Sequence, residues 1–176
     1  MKGVDILAIG AHPDDVALGC AGRLSLSISQ GKSVGIIDLT QGELGTRGTV
    51  ESRKEEALSA AAILGVDQRI NMEFRDGFFK NDETHQLALI TKIRSFRPQL
   101  ILCNAKHDRH IDHGRANKLV NDACFLNRLE KINTKDSSGK SQKPWRPKLV
   151  LEYIQWVDIE PHIVVDISSH LESKLN

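Results

Sequence analysis

Short apolar runs that alternate with longer amphipathic segments are the feature that most constrains the fold of this chain. The first run, Val4 to Gly10 (VDILAIG), is rich in β-forming residues and has the length of a strand buried on both faces. The next segment, Asp14 to Gln30, carries apolar residues at helical spacing and is closed by Gly31. This alternation predicts βαβ units with right-handed crossovers, and therefore an α/β, Rossmann-like three-layer sandwich around a mostly parallel sheet.

The same alternation continues along the chain. The other predicted strands are residues 33–40, 69–74, 99–104, 148–153 and 162–167, and the other predicted helices are residues 50–64, 82–96 and 112–129. Thr49 and Asp112 are candidates to cap the helices that they precede or begin. Gly19 and Gly22 lie within the first helix, where we expect them to let that helix approach a neighbouring strand.

Length and charge restrict the classes of protein to be considered. The 176 residues predict one domain, 1–176, and the net charge of +1 gives no electrostatic reason to expect binding to nucleic acid or to an acidic membrane. No stretch is long and apolar enough to span a bilayer. The three widely spaced cysteines form no CxxC and the first residues lack a signal-peptide pattern, so we expect a cytoplasmic protein with reduced thiols. Residues 131–146 are rich in Lys and Ser, also contain Gly and Pro, and are expected to form a mobile basic loop.

Two short motifs rich in His and Asp follow the first and the fourth predicted strands. They are His12-Pro13-Asp14-Asp15 and His110-Ile111-Asp112-His113. In a doubly wound sheet of order 3-2-1-4-5 these two strands are neighbours, and ligands bind in the crevice at their carboxyl ends. The sequence therefore predicts one site built from both motifs.

The spacing within these motifs suits a mononuclear metal hydrolase. A catalytic zinc takes three protein ligands of nitrogen and oxygen type and leaves a position for water. His12, Asp15 and one of the two histidines at positions 110 and 113 would supply them. Asp14 points away from its neighbour Asp15 and could accept a proton from water. The remaining histidine could stabilise an oxyanion and protonate the leaving amine, with Asp112 holding its tautomer.

Each motif alone has a simpler interpretation. A His-Pro-Asp-Asp turn is more often a strand-to-helix turn with an Asp cap, and an HxxH pair is usually on the surface of a helix end. Their joint occurrence at two paired strand ends favours a metal site. A phosphoester hydrolase remains an alternative, although such sites usually hold two metals. A nucleotide-binding module would carry GxGxxG at the first turn, where this chain has Gly10 to Asp15 (GAHPDD).

At these motifs the chain resembles the LmbE-like, or PIG-L, family of zinc-dependent N-acetyl-sugar deacetylases. The resemblance covers residues 11–15 (AHPDD), Gly19 and Gly22, residues 40–49 (TQGELGTRGT), Ser52-Arg53, Glu56-Ala57 and residues 109–114 (RHIDHG). The GELGTRGT loop is most similar to the bacillithiol-pathway branch, which deacetylates GlcNAc-malate. The family continues with a helical stretch after the segment matched at Asp166 to Ser168, so the resemblance implies that this stretch is missing here.

The resemblance also implies roles for individual residues. The zinc ligands would be His12, Asp15 and His113, the general base Asp14, and the electrophilic and acid partner His110, with Asp112 behind it. The substrate-binding residues would be Arg53, Arg109, Glu43 and Arg47. One Zn²⁺ per chain, or another divalent metal, an N-acetyl sugar conjugate as substrate and a homo-oligomer are further expectations, and a catalytically impaired sugar-binding homologue remains an alternative.

Overall fold

A computed structural model describes residues 3–175, which form a five-stranded parallel sheet with helices on both sides. The strands are β1 (Ile6–Gly10), β2 (Val34–Thr40), β3 (Gln68–Phe74), β4 (Leu100–Asn104) and β5 (Leu149–Tyr153). The helices are α1 (Asp15–Ser29), α2 (Val50–Leu64), α3 (Glu83–Phe96), α4 (Ile111–Asn127) and α5 (Leu171–Leu175). The strand order β3-β2-β1-β4-β5 confirms the predicted fold class and places β1 beside β4.

The central strand has a packed core on each face. Leu7 and Ile9 point into the cluster formed with α3 and α4, whereas Ile6 and Ala8 point into the cluster formed with α1. All five residues of β1 are buried, as expected for a strand covered by helices on both sides. The sheet is thus a rigid platform whose carboxyl edge carries the two motifs.

Two helix starts differ in how well the sequence predicted them. Thr49 caps α2 as expected, because its side chain accepts a hydrogen bond from the Ser52 amide in a reciprocal capping box. The prediction that Asp112 caps the fourth helix is wrong, because the cap is His110, whose ring accepts a hydrogen bond from the Asp112 amide. The first amides of a helix have no acceptor within the helix, and the His110 ring accepts from one of them as a capping carboxylate would.

The small residues of α1 are explained by close packing on that helix. A Cβ atom at Gly19 would overlap the ring of Tyr153 in β5, and one at Gly22 would overlap the side chain of Ile167. The expectation that Gly19 lets the helix approach a strand is therefore confirmed.

The predicted strand over residues 162–167 is wrong. Within the described part of the chain, this segment is extended but pairs with no strand, and Val164 is 80% exposed. Its composition suits a strand, but Ile167 packs onto α1 at Gly22, so the segment crosses the helix layer instead of extending the sheet beyond β5.

Residues 131–146 are tied to α3 and α4. The buried guanidinium of Arg94 donates to the carbonyl oxygens of Asn127 and Ile132, at 2.9 and 2.7 Å, and the Trp145 indole donates to the Pro98 carbonyl at 2.8 Å. The mobility expected of this loop stays a prediction. Separately, no helix among residues 3–175 combines the length and apolarity needed to cross a membrane.

Candidate active site

The two motifs converge at the carboxyl end of the sheet because β1 and β4 are paired in register. Ile9 lies opposite Cys103, so the chain leaves both strands at the same level. Asn104, the last residue of β4, joins the two exits: its side-chain oxygen accepts a hydrogen bond from the Ala11 amide at 2.9 Å. The strand pairing therefore fixes the distance between the motifs.

Among the side chains at this edge of the sheet, Asp15 makes the largest set of hydrogen bonds and ionic contacts. One carboxylate oxygen accepts hydrogen bonds from the His12 amide (2.9 Å) and the Asn104 amide group (3.1 Å). The other oxygen accepts one from the Gln155 side chain (2.9 Å) and lies 3.1 Å from Nε2 of His113. Its side chain is 2% exposed, so these neighbours hold a buried charge in one orientation.

Three imidazoles lie close together at this edge, and two of them, His12 and His113, contact the Asp15 carboxylate. Ring nitrogens of His12, His110 and His113 lie within 4.8 Å of one another, and Nδ1 of His12 is 3.4 Å from Asp15. The structure therefore brings together the three residues expected to bind a metal, His12, Asp15 and His113, and places His110 beside them. Nitrogen and carboxylate-oxygen donors in a compact cluster are the chemistry that zinc and related divalent metals bind, so the residues fit a metal ion.

The charges of the cluster are strongly coupled. Burial opposes the charged form of the His12 imidazole, but the neighbouring carboxylates raise its pKa to about 10. Burial likewise opposes the charge of Asp15, but the imidazoles of His113 and His12 lower its pKa below the ordinary value. Burial opposes the charge of His113 as well, but the carboxylates of Asp15 and Asp108 together raise its pKa. The buried carboxylate of Asp15 thus favours the charged form of both imidazoles.

Asp14 differs from Asp15 in every respect. It is exposed and occupies the cap position of α1, yet within residues 3–175 its side chain makes no capping hydrogen bond. The simpler interpretation of this residue as a helix cap therefore does not hold. The backbone just before Asp14 is held in place, because the Arg69 guanidinium donates a hydrogen bond to the Pro13 carbonyl. The carboxylate is left free at the surface of the cluster.

His110 is held in one tautomer by the start of α4. Its Nδ1 accepts a hydrogen bond from the Asp112 amide at 3.2 Å, so the proton of the neutral ring is on Nε2. Burial, and then the positive charges of His12 and His113, lower its pKa. A neutral ring with an Nε2–H donor is suited to stabilise developing negative charge.

Asp112 lies elsewhere than expected. Its carboxylate faces His12, with 3.5 Å between Oδ2 and Nε2, and it also accepts hydrogen bonds from the Gly77 amide and from Arg115. It does not contact the ring of His110 through its carboxylate; only its amide does. The orientation of His110 thus comes from the backbone of Asp112.

The loop that follows β2 covers one side of the cluster. Arg53 does not extend toward the cluster but donates to the Arg47 carbonyl at 3.1 Å and fills the space beside Gly45, where a Cβ atom would collide with it. Glu43 accepts a hydrogen bond from the Asp76 amide at 2.7 Å. These side chains shape the loop, and Arg47 itself is exposed.

On the other side of the cluster, Arg109 stacks on the ring of Trp156, with 4.3 Å between the guanidinium carbon and the ring centroid. Trp156 is 52% exposed and follows Gln155, whose amide contacts Asp15. An exposed aromatic ring beside a cation therefore lies at the rim of the site.

The motifs did not identify four residues that complete the site. Asp76, Asn104, Asp108 and Gln155 contact the cluster. Asp108 lies 3.0 Å from Nδ1 of His113, although the contact is poorly aligned for a hydrogen bond. All four follow or end predicted strands, so their position at strand ends was the available signal; their residue types alone gave none.

Comparisons with known proteins identify a family and a similar structure. Residues 7–124 match the sequence model of the PIG-L family, described as GlcNAc-PI de-N-acetylase. The conserved protein TT1542 from Thermus thermophilus has a similar structure, with a TM-score of 0.89 and 34% identity over 97% of this chain and 75% of that one.

Two curated relatives are similar in sequence. Diacetylchitobiose deacetylase of Thermococcus kodakarensis is 29% identical over 180 residues, covering 97% of this chain and 66% of that protein. The uncharacterized deacetylase YaiS of Escherichia coli is 44% identical over 71 residues, covering 40% of this chain and 38% of that protein. The chain thus spans less than two thirds of the length of either relative.

Proposed function

The chain belongs to the GlcNAc-PI de-N-acetylase (PIG-L) family, and on that premise we propose that it hydrolyses the N-acetyl group of an N-acetylglucosamine derivative. The products are acetate and the free amine. The observation that carries this proposal is the buried Asp15 carboxylate between the imidazoles of His12 and His113, with the next carboxylate along the chain, Asp14, exposed and unengaged.

In this proposal His12, Asp15 and His113 hold one Zn²⁺ ion. The support is their donor chemistry and the position of Asp15 between the two imidazoles, at 3.4 and 3.1 Å. A bound zinc ion supplies Lewis-acid chemistry: it polarises an amide carbonyl and makes a nearby water more acidic. Asn104 and Gln155 hold Asp15 in place through its two oxygens.

Asp14 and His110 carry the proton transfers. Asp14 takes a proton from the attacking water, since its carboxylate is exposed and bound to no helix amide. His110 presents Nε2–H to the oxygen of the amide as negative charge develops there, and the proton that Asp14 took from the water passes to the amine nitrogen as the C–N bond breaks. Asp112 acts through its amide, which fixes the ring of His110.

The rim residues recognise the remainder of the substrate. Arg109, stacked on Trp156, is placed to meet a sugar ring or a carboxylate of the group attached to it. Arg53, Glu43 and Arg47 act through the loop that they shape. The GELGTRGT sequence of this loop supports a GlcNAc-malate-like substrate of the bacillithiol pathway as the finer assignment.

An amine-release assay tests the reaction, the substrate and the metal together. GlcNAc, GlcNAc-malate and diacetylchitobiose are incubated with the protein in the presence of zinc and of a chelator. We expect zinc-dependent release of amine, fastest for GlcNAc-malate. Release that is unaffected by complete removal of metal would refute the metal-dependent mechanism, and release from none of the three would refute the substrate class.

Asp14→Asn tests the base. The variant keeps the shape of the side chain but cannot take a proton, so kcat falls by about 10²–10⁴-fold while zinc content is unchanged. Glu55→Gln, an exposed change on α2, is the control and keeps the parent rate. Turnover of Asp14→Asn at the parent rate would show that another group is the base.

A further inference from the structure

Asp76 lies at the same edge of the sheet as the two motifs, just after β3, and is 5% exposed. Its carboxylate uses both oxygens. Oδ1 lies 3.0 Å from Nε2 of His12, and Oδ2 accepts a hydrogen bond from the Leu44 amide at 3.1 Å. Its own amide donates to Glu43 at 2.7 Å. One buried side chain thus joins His12 to the loop that follows β2.

We propose that Asp76 is a positioning residue for His12, which it orients toward the metal while it anchors the loop over the site. The inference rests on the proposed function only in taking His12 as a metal ligand. Because a carboxylate accepts but does not donate, its contact with Nε2 keeps the proton of the neutral ring on that nitrogen. Nδ1, which faces Asp15 at 3.4 Å, is then the nitrogen with a free lone pair.

Asp76 is better placed for this role than Asp112, the other carboxylate near Nε2. Asp112 is 3.5 Å from Nε2, and its oxygens already accept hydrogen bonds from the Gly77 amide and from Arg115. Oδ1 of Asp76, which accepts no hydrogen bond from Leu44, lies 3.0 Å from Nε2 of His12. Carboxylates behind metal-binding histidines fix the tautomer and raise ligand basicity in this way.

The two contacts of Asp76 also couple the loop to the metal site. Leu44 and Glu43 belong to the segment between β2 and α2. The glycines of this segment leave it few side chains that could fix its conformation. Its attachment to Asp76 therefore fixes the loop relative to His12. Loss of the carboxylate loosens both partners at once.

Asp76→Asn separates the two roles. The amide oxygen can still accept from Leu44, but the amide nitrogen is a donor and favours the His12 tautomer with its proton on Nδ1, which blocks that nitrogen for metal binding. We expect zinc affinity, measured by chelator competition, to fall by about 10- to 100-fold. Trypsin cleavage after Arg47 stays slow. In Asp76→Ala zinc affinity falls similarly, and cleavage in the loop becomes faster because the Leu44 amide loses its acceptor, while the backbone hydrogen bond to Glu43 remains.

The matched control is Asp122→Asn, which removes a hydrogen-bonded carboxylate on α4 that accepts from Asn81 and pairs with Lys118. Its zinc affinity should equal that of the parent. Zinc affinity of both Asp76 variants within threefold of the parent would overturn the proposal.

Nitrogen NMR of the zinc-loaded parent protein needs no variant, so a folding defect cannot mask the answer. We expect His12 to be protonated at Nε2 and to bind metal through Nδ1, and the reverse assignment would overturn the proposal. Because zinc affinity and tautomer are measured without substrate, failure of the amine-release assay would refute the proposed reaction and leave this role standing.

Discussion

Replacing Arg69 by Met tests how the turn that carries Asp14 is supported. Arg69 is buried on β3, and its guanidinium donates to both carboxylate oxygens of Asp38, at 2.8 and 2.9 Å. It also donates to the Ala57 carbonyl at 2.8 Å and to the Pro13 carbonyl. Its side chain and that of Asp38 are each 4% exposed, so water cannot replace these contacts.

The expected loss of stability follows from this burial. Removing one partner of a buried ion pair leaves an uncompensated charge and costs about 3–5 kcal/mol. For a chain of this size that corresponds to a Tm lower by about 6–20 °C. Arg69→Met with Asp38→Leu removes the charge that is left behind, so we expect the double variant to recover at least half of the loss.

The loss should also depend on pH. Burial raises the pKa of Asp38 to about 6, although Arg69 opposes this shift. A carboxyl whose pKa is higher in the folded state stabilises the fold at low pH, and this contribution is lost as the pH rises through that value. Without Arg69 the pKa of Asp38 rises further, so the deficit of the variant is larger at pH 8 than at pH 5.

Urea denaturation of the parent, single and double variants at both pH values measures these effects. Arg128→Met, which removes an exposed arginine at the end of α4, is the control and should change stability by less than about 1 kcal/mol. A loss below about 1 kcal/mol for Arg69→Met, or a double variant less stable than the single one, would refute the view that Arg69 and Asp38 form a stabilising buried ion pair.

Two further predictions concern the histidines that contact Asp15 and the packing of α1. Because the pKa of His12 is raised to about 10 and that of His113 is also raised, zinc must displace protons at neutral pH, and its affinity should increase as the pH rises from 6 toward 9. Calorimetry in buffers of different ionisation enthalpy should show about one proton released per histidine; a pH-independent affinity would contradict the charge arrangement. Gly19→Ala should destabilise the fold by about 1–3 kcal/mol in urea denaturation, because the added Cβ overlaps Tyr153. Helix propensity alone predicts the opposite sign, so a stabilised variant would contradict the packing.

The sequence was sufficient to predict the sheet and the meeting of the two motifs, because both depend on local periodicity and on the order of the elements. β1 and β4 were placed side by side by assuming the order 3-2-1-4-5 of a doubly wound sheet, and the structure confirms that order. The approach of His12, Asp15 and His113 is a direct consequence of that pairing.

Periodicity could not supply contacts that depend on the path of the chain between elements. Residues 162–167 have the composition of a strand, but nothing in that composition shows that Ile167 packs at Gly22. Asp76 and Gln155 are single polar residues after strands, and only the sheet order shows that they reach the cluster. The carboxylate of Asp112 was expected to hold the tautomer of His110. The first turn of α4 instead directs that carboxylate toward His12.

The pairing of β1 with β4 also sets when the site can form during synthesis. One of the two neighbours of β1 in the sheet, β4, comes more than ninety residues after it along the chain, and His113 follows that neighbour. Until then the nascent chain exposes one edge of its most apolar strand and only half of the cluster. Insertion of β4 therefore pairs the second edge of β1 and, through the chain that follows it, brings His113 beside Asp15.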